Sequence, residues 1–142
     1  MGEGQGLIVV GVDGSEPARR ALVWALAETR LRGGRCLLIH AFEYLPAATG
    51  AGSVAAELAS AAHDVLEQEL SFARDSGLSV DGRVMALGAA QALLDAAQDA
   101  ELLVVGSRGR GGLASALLGS VSTAVVHHAT CPVVVVPSRD HT

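Results

Sequence analysis

A doubly wound α/β sandwich, with five parallel strands covered on both faces by four helices, is the fold this sequence predicts. Short apolar runs alternate strictly with longer segments of helical periodicity. The runs are apolar at consecutive positions, as strands buried on both faces are. One strand–helix passage, GSRGRGGLASALLGSVS from Gly106 to Ser122, is rich in glycine and serine. Two residues separate Gly106 from Gly109, and nine separate Gly109 from the Gly119-Ser120 pair.

The elements follow in order. LIVVGV (7–12) reads as a first strand. Ser15, Glu16 and Pro17 then supply an N-cap, an acidic first turn and a helix-compatible proline ahead of ARRALVWALAETRLR. Gly33-Gly34 ends that helix. RCLLIHAF (35–42) is a second strand, and YLPAATGAGS has loop composition. Ser53 introduces a long alanine-rich amphipathic helix that ends near Gly77. SVDGRVMAL (79–87) alternates like a half-covered strand, AAQALLDAAQDA is a third helix, and ELLVV is the fourth strand. VSTAVVHHA is the last helix, ending near Ala129, and PVVVVP supplies the fifth strand. No linker or break in composition marks a second domain, so residues 1–142 read as one.

Composition excludes several classes. A chain of 142 residues buries roughly two thirds of its unfolded surface and needs no staples. Cys36 and Cys131 are far apart and lack metal-ligand spacing, which suggests reduced core thiols. MGEGQG has no basic region and precedes only a short apolar run, so a signal peptide, a membrane span and a lipid anchor are not expected, and a cytoplasmic protein is. A net charge of −5 with scattered basic residues and four aromatics argues against a nucleic-acid surface.

A strand that runs through a glycine loop into a helix N-terminus is an anion site, because the first amides of the helix lack partners and its dipole favours negative charge. All ten basic residues are arginine, so a P-loop lysine is excluded. Any phosphate is held by main chain, hydroxyls, arginine or metal. In a doubly wound sheet, ligands bind at the carboxyl ends of the strands where strand order reverses. The first strand ends at Gly11, Val12 and Asp13 and the fourth at Gly106; if these strands are neighbours, Asp13 and the glycine loop share one crevice.

Each residue has a plainer reading. Gly106 and Gly109 could merely end a strand and permit a turn, and Asp13 could only cap the next helix. Arg108 and Arg110 suit either charge-assisted bonds to phosphate or solvation. His127 and His128 point about 100° apart on a helix and form no i, i+4 metal pair. His40 follows an apolar run with no nucleophile beside it and reads as structural. No G-x-S-x-G elbow is present, which leaves a covalent hydrolase without support.

The Gly-x2-Gly-x9-Gly-Ser pattern of Gly106, Gly109, Gly119 and Ser120, with IVVGVDGS and CLLIHAF before it, resembles the ATP-binding branch of the universal stress protein family over nearly the whole chain. The resemblance implies a Rossmann-like sheet of order 3-2-1-4-5, akin to the adenine-nucleotide alpha hydrolases, with ATP at the switch point and dimers. It implies that Gly106 and Gly109 admit the ribose and phosphates, and that Gly119, Ser120, Val121 and Ser122 cradle the phosphates. It places Asp13 beside the ribose or a divalent metal, Mg2+ or Mn2+, with Gly11 and Val12 close by, and Ala41 at the adenine through main chain. Elementary chemistry agrees, since glycine has no Cβ and can adopt positive φ, and serine at a helix entrance offers a hydroxyl and an amide.

Val133–Val136, apolar on both faces, would lie at the sheet edge in that order, which predicts a homodimer built on this strand through an isologous interface. The alternative is an edge covered by the chain's own tail. The function expected is an ATP-dependent stress-response regulator with a downstream protein partner. The alternatives are a slow ATPase or a self-phosphorylating protein using Ser120 or Ser122, and a nucleotide-free dimeric scaffold. An ATP pyrophosphatase is disfavoured because GVDGS does not reproduce an SGGxDS loop.

Overall fold

The computed structural model describes residues 6–43, 51–108 and 118–138. Its elements are β1 (Leu7–Gly11), α1 (Glu16–Arg32), β2 (Arg35–Ala41), α2 (Ala51–Arg74), β3 (Val80–Met85), α3 (Ala89–Ala96), β4 (Leu102–Gly106), α4 (Ser120–His128) and β5 (Val133–Val136). The five strands form one sheet in the order β3-β2-β1-β4-β5, and every pairing is parallel. β1 and β4 are therefore neighbours, with Ile8 opposite Leu102 and Val10 opposite Val104. The strand order reverses between them.

Burial explains the apolar runs. Ile8, Val10, Leu38 and Val104 pack on one face against α1 and α2, while Val9, Ile39, Leu103 and Val105 pack on the other against α3 and α4. Strands enclosed on both sides cannot alternate in polarity. α1 opens and closes as its sequence dictates. The Ser15 hydroxyl accepts from the Ala18 amide at 3.3 Å, and Gly33 adopts a left-handed φ of 64°, which glycine does without a Cβ penalty.

Several boundaries depart from expectation, most by one or two residues; three have a visible consequence or cause. α2 starts at Ala51, so Ser53 lies within it rather than at its entrance; positions 44–50 of the expected loop fall outside the described residues. β1 stops at Gly11, where Val12 turns its amide to the Ile39 carbonyl at 2.9 Å. α3 stops at Ala96, not at Ala100, because the chain must turn for the Glu101 amide to reach the Leu7 carbonyl at 2.9 Å.

α2 is clasped to α1 by one ion pair. Arg19 donates from Nε and Nη2 to the two oxygens of the buried Glu69 at 2.9 and 3.0 Å, and its guanidinium lies 4.0 Å above the Phe72 ring. A paired, bidentate geometry is how a carboxylate is kept inside. Both cysteines are free; burial pushes the Cys36 thiol up to about 11, against a lesser opposing effect of its hydrogen bond with Thr29.

Candidate functional site

A crevice of about 530 Å³ opens at the carboxyl ends of β1, β2 and β4. Its size suits a small ligand. Gly11, Val12, Asp13, Ala41, Gly106, Arg108, Gly119, Ser120, Val121 and Ser122 all line it, so the structure brings together every described residue singled out from sequence. Gly109 and Arg110 lie outside the described residues.

The walls divide by chemistry. Around the β1 and β4 tips stand Asp13, Arg108, Ser120 and Ser122. Gly119 caps α4 in an extended conformation without a side-chain bond, so the first amides of the helix, at Ser120, Val121 and Ser122, have no acceptor within it. Toward β2 the walls are apolar: Leu58, Ala61, Ala62 and Val65 of α2 face Phe42, and Ala89 and Leu93 of α3 stand beside Ala41.

Hydrogen bonds hold this shape. Ser122 is buried and its hydroxyl donates to the carbonyls of Ser107 at 2.9 Å and Gly119 at 3.1 Å, while the Gly119 amide donates to Ser107 at 2.7 Å. The Ser122 hydroxyl thus fixes the helix entrance to the β4 tip, while Ser120 is exposed. Asp13 Oδ1 accepts from the Ser15 amide at 2.9 Å, closing a tight turn around Gly14, whose φ is 80°.

Of the two properties expected of these glycines, a missing Cβ and access to positive φ, the described ones use only the first. Among the described residues neither Gly106 nor Gly119 has a positive φ. A Cβ on Gly106 would stand 3.0 Å from the Pro17 carbonyl oxygen, so this glycine lets the first turn of α1 press against the β4 tip. Among the described residues the left-handed one next to the crevice lining is Gly14, which follows Asp13 and is legible in the Asp-Gly dipeptide after a strand. His40, read from sequence as structural, lines the crevice, and its Nδ1 lies 2.8 Å from the Val12 carbonyl. The apolar wall of α2 was also missed; its only signal is the spacing of Leu58, Ala61, Ala62 and Val65 along one helix face.

Among the described residues no group of three or more His, Cys, Asp or Glu side chains could hold a metal ion. No helix among them is long and apolar enough to cross a membrane.

A doubly wound parallel sheet with a crevice and a helix entrance at its switch point defines a class of α/β proteins in which small ligands bind at the strand tips. Within that class the chain belongs to the universal stress protein family, whose model matches residues 6–137. It is 36% identical to a universal stress protein of Thermus aquaticus, covering 91% of this chain and 96% of the relative. It is 34% identical to one of Mycolicibacterium smegmatis, covering 94% of this chain and 48% of that protein. The chain thus spans about half the length of several curated relatives it matches. Among solved structures, UspA of Lactobacillus plantarum superposes with a TM-score of 0.81 at 23% identity, covering 95% of this chain and 99% of the other. A universal stress protein in complex with cAMP gives 0.69 at 26% identity, with 92% and 94% covered. One from Archaeoglobus fulgidus in complex with dAMP gives 0.66 at 26% identity, with 90% and 94% covered.

Proposed function

We propose that this protein binds an adenine nucleotide in the crevice, that ATP is the working ligand, and that occupancy switches which surface the protein shows to a downstream partner in a stress response. One observation carries the reading: the entrance of α4, with its free first-turn amides and the Ser120 hydroxyl, faces the same space as Asp13 and an apolar wall. That space offers donors to phosphates, an acceptor to ribose hydroxyls and a greasy slot to a base. The relatives solved with dAMP and cAMP support it.

Main-chain amides of Ser120, Val121 and Ser122 would hold phosphate oxygens, with Gly106, Arg108, Gly109 and Gly119 around them. Ala41 would meet the base through main chain. Gly11 and Val12 set the floor, and Asp13 would take the ribose. Among the described residues Asp13 is the one carboxylate lining the crevice. This donor set fits Mg2+ or Mn2+ carried in with the nucleotide, since such an ion takes one or two carboxylates plus phosphates and water. Bound there, the ion would neutralise phosphate charge.

A ligand shifts a conformational equilibrium only through differential affinity, so the switch rests on the crevice binding ATP better in one state. Mass spectrometry of the small molecule released from freshly purified, denatured protein tests the reading, together with calorimetry of Mg·ATP. An adenine nucleotide in the first and saturable binding in the second are expected; neither appearing would overturn it.

Among the described residues the crevice holds one carboxylate, Asp13, and its one histidine, His40, stands at the β2 end away from the helix entrance, so hydrolysis is expected to be slow. Self-phosphorylation has one observation in its favour, the exposed Ser120 hydroxyl at the crevice. Label from γ-phosphate retained on the wild type and lost in Ser120→Ala would establish it.

The proposal extends to a homodimer on β5. That strand sits at the sheet edge with Val133, Val134 and Val135 half-buried. A charge-free edge of this kind pairs or aggregates. Val134→Asp or Val135→Arg should yield monomer or insoluble protein in sedimentation runs; an unaltered dimer removes the idea. A cytoplasmic location belongs to the same proposal, and fractionation of cells tests it.

A further inference from the structure

His40 occupies a place that the nucleotide reading leaves without a role. Along β2 its side chain falls on the same face as Cys36 and Leu38, which lie in the core beneath α1 and α2. It therefore enters the crevice on the side of α2, beside Leu58 and Val65. The Val12 carbonyl can only accept, so the Nδ1 atom 2.8 Å away carries the proton and donates it. A neutral imidazole with its proton on Nδ1 has a lone pair on Nε2. Nε2 is then the polar atom that His40 offers to a ligand.

Position says which part of a nucleotide would meet it. The phosphate donors sit at the β4 tip, and β2 lies two strands away across β1. At the usual strand spacing that is roughly 10 Å, comparable to the reach from the phosphate to the far edge of the purine in an extended nucleotide. The surroundings agree. Leu58, Ala61, Ala62 and Val65 bring no hydrogen-bond donor for a phosphate, and they suit the flat face of a base.

With the base end of the crevice at the β2 tip, where Ala41 would meet it, we propose that His40 Nε2 reads the base by accepting a hydrogen bond from its exocyclic amine. The inference rests on the nucleotide reading above. A 6-aminopurine presents a donor to that lone pair. A 6-oxopurine presents an oxygen, and two acceptors then face each other without a proton between them. His40 thereby selects adenine over hypoxanthine and guanine, while Leu58 and Val65 contribute affinity without choosing.

The test uses ATP and ITP, which differ in the 6-substituent and the adjacent ring proton. Calorimetry on the wild-type chain with magnesium should show ATP bound about tenfold more tightly, the worth of one good hydrogen bond against an unsatisfied one. In His40→Asn, whose amide nitrogen can stand in for Nδ1 toward Val12 but has nothing at the Nε2 position, the ATP:ITP ratio should fall toward one while both still bind. In Leu58→Asn, an exposed position where folding is not at stake, both affinities should drop by a similar factor and the ratio should persist. In the wild type, the 15N resonance of His40 Nε2 should shift with ATP and differently with ITP, a readout that needs no variant. An unchanged ratio in a folded His40→Asn protein, a wild type indifferent to the 6-substituent, an Nε2 resonance unmoved at saturation, or a Leu58→Asn variant with both affinities intact would each overturn the assignment. If the wild type binds neither nucleotide, the nucleotide reading itself falls first and this one with it.

Discussion

The two ends of the sheet are made from the same strands and are built on opposite plans. At the amino end main chain packs directly on main chain and one carboxylate, that of Glu101, ties the seam. The Arg35 amide donates to the Gly6 carbonyl at 2.8 Å, the Gly6 amide donates to Glu101 Oε2 at 2.8 Å, and Arg32 closes an ion pair with the same carboxylate. A Cβ on Gly34 would stand 2.1 Å from the Gly6 carbonyl oxygen, so no side chain fits between these segments. At the carboxyl end the β1–β4 pairing stops at Val10 and Val104, and side chains tie the segments beyond it: Ser122 to Ser107, Asp13 to the Ser15 amide, His40 to Val12. One end is a seam, the other a frame around a space. A fold with a ligand site needs both, because a frame keeps its shape only if the core below it is fixed elsewhere.

Substitutions at the two ends should separate stability from binding. The largest effect is expected at the seam. Gly34→Ala forces two backbones apart, at a cost of about 3 kcal/mol, and should lower the thermal midpoint by about 10 °C while the protein that remains folded keeps its nucleotide affinity. Calorimetric unfolding and binding on one sample check both halves; a simultaneous loss of affinity would mean that the ends are coupled.

Gly106→Ala is next and touches both functions. Its Cβ would press on the Pro17 carbonyl, so α1 or the β4 tip must shift by a few tenths of an ångström. A cost of about 1–2 kcal/mol and measurably weaker ATP binding are expected. Stability lost with binding intact would make this glycine a packing residue alone.

Ser122→Ala and Ser120→Ala divide the helix entrance. The first removes a buried hydroxyl that serves two carbonyls and should destabilise the protein by about 1 kcal/mol. The second removes an exposed group and should leave the midpoint unchanged while weakening ATP binding about fivefold. Equal midpoints for both variants would show that the frame does not depend on Ser122.

The smallest effect concerns acid. The Gly6 amide, and after it Arg32, hold the Glu101 carboxyl below the usual carboxylate range. A lowered value in the folded state means that the contribution is complete above the ordinary carboxylate pKa and fades as pH falls through the lowered one. Wild type and Glu101→Gln should therefore differ in midpoint near neutrality and converge in strong acid. The pair is exposed and screened, so the difference is small. Curves that stay parallel down to low pH would remove Glu101 from the seam.

Much of this was legible before the fold was known. LIVVG, ELLVV and VVVV announce doubly covered strands, Ser15 and Gly33 announce the ends of α1, and the Gly106 to Ser122 spacing announces a helix entrance after a strand. These signals lie within a few residues of what they specify. The missed features join distant segments. Gly34 matters because of Gly6, Gly106 because of Pro17, and His40 because of Val12 and α2.

The chain's own order of residues settled which segments are strands and helices and where a phosphate-friendly helix end would occur, since hydrophobic period and capping act locally. Which glycine answers to packing, which hydroxyl supports the frame, and that a histidine at the end of β2 looks into the same crevice as a serine at the start of α4 were decided only by the tertiary structure. Those facts depend on the distance between residues far apart in the chain, and no local pattern carries that distance.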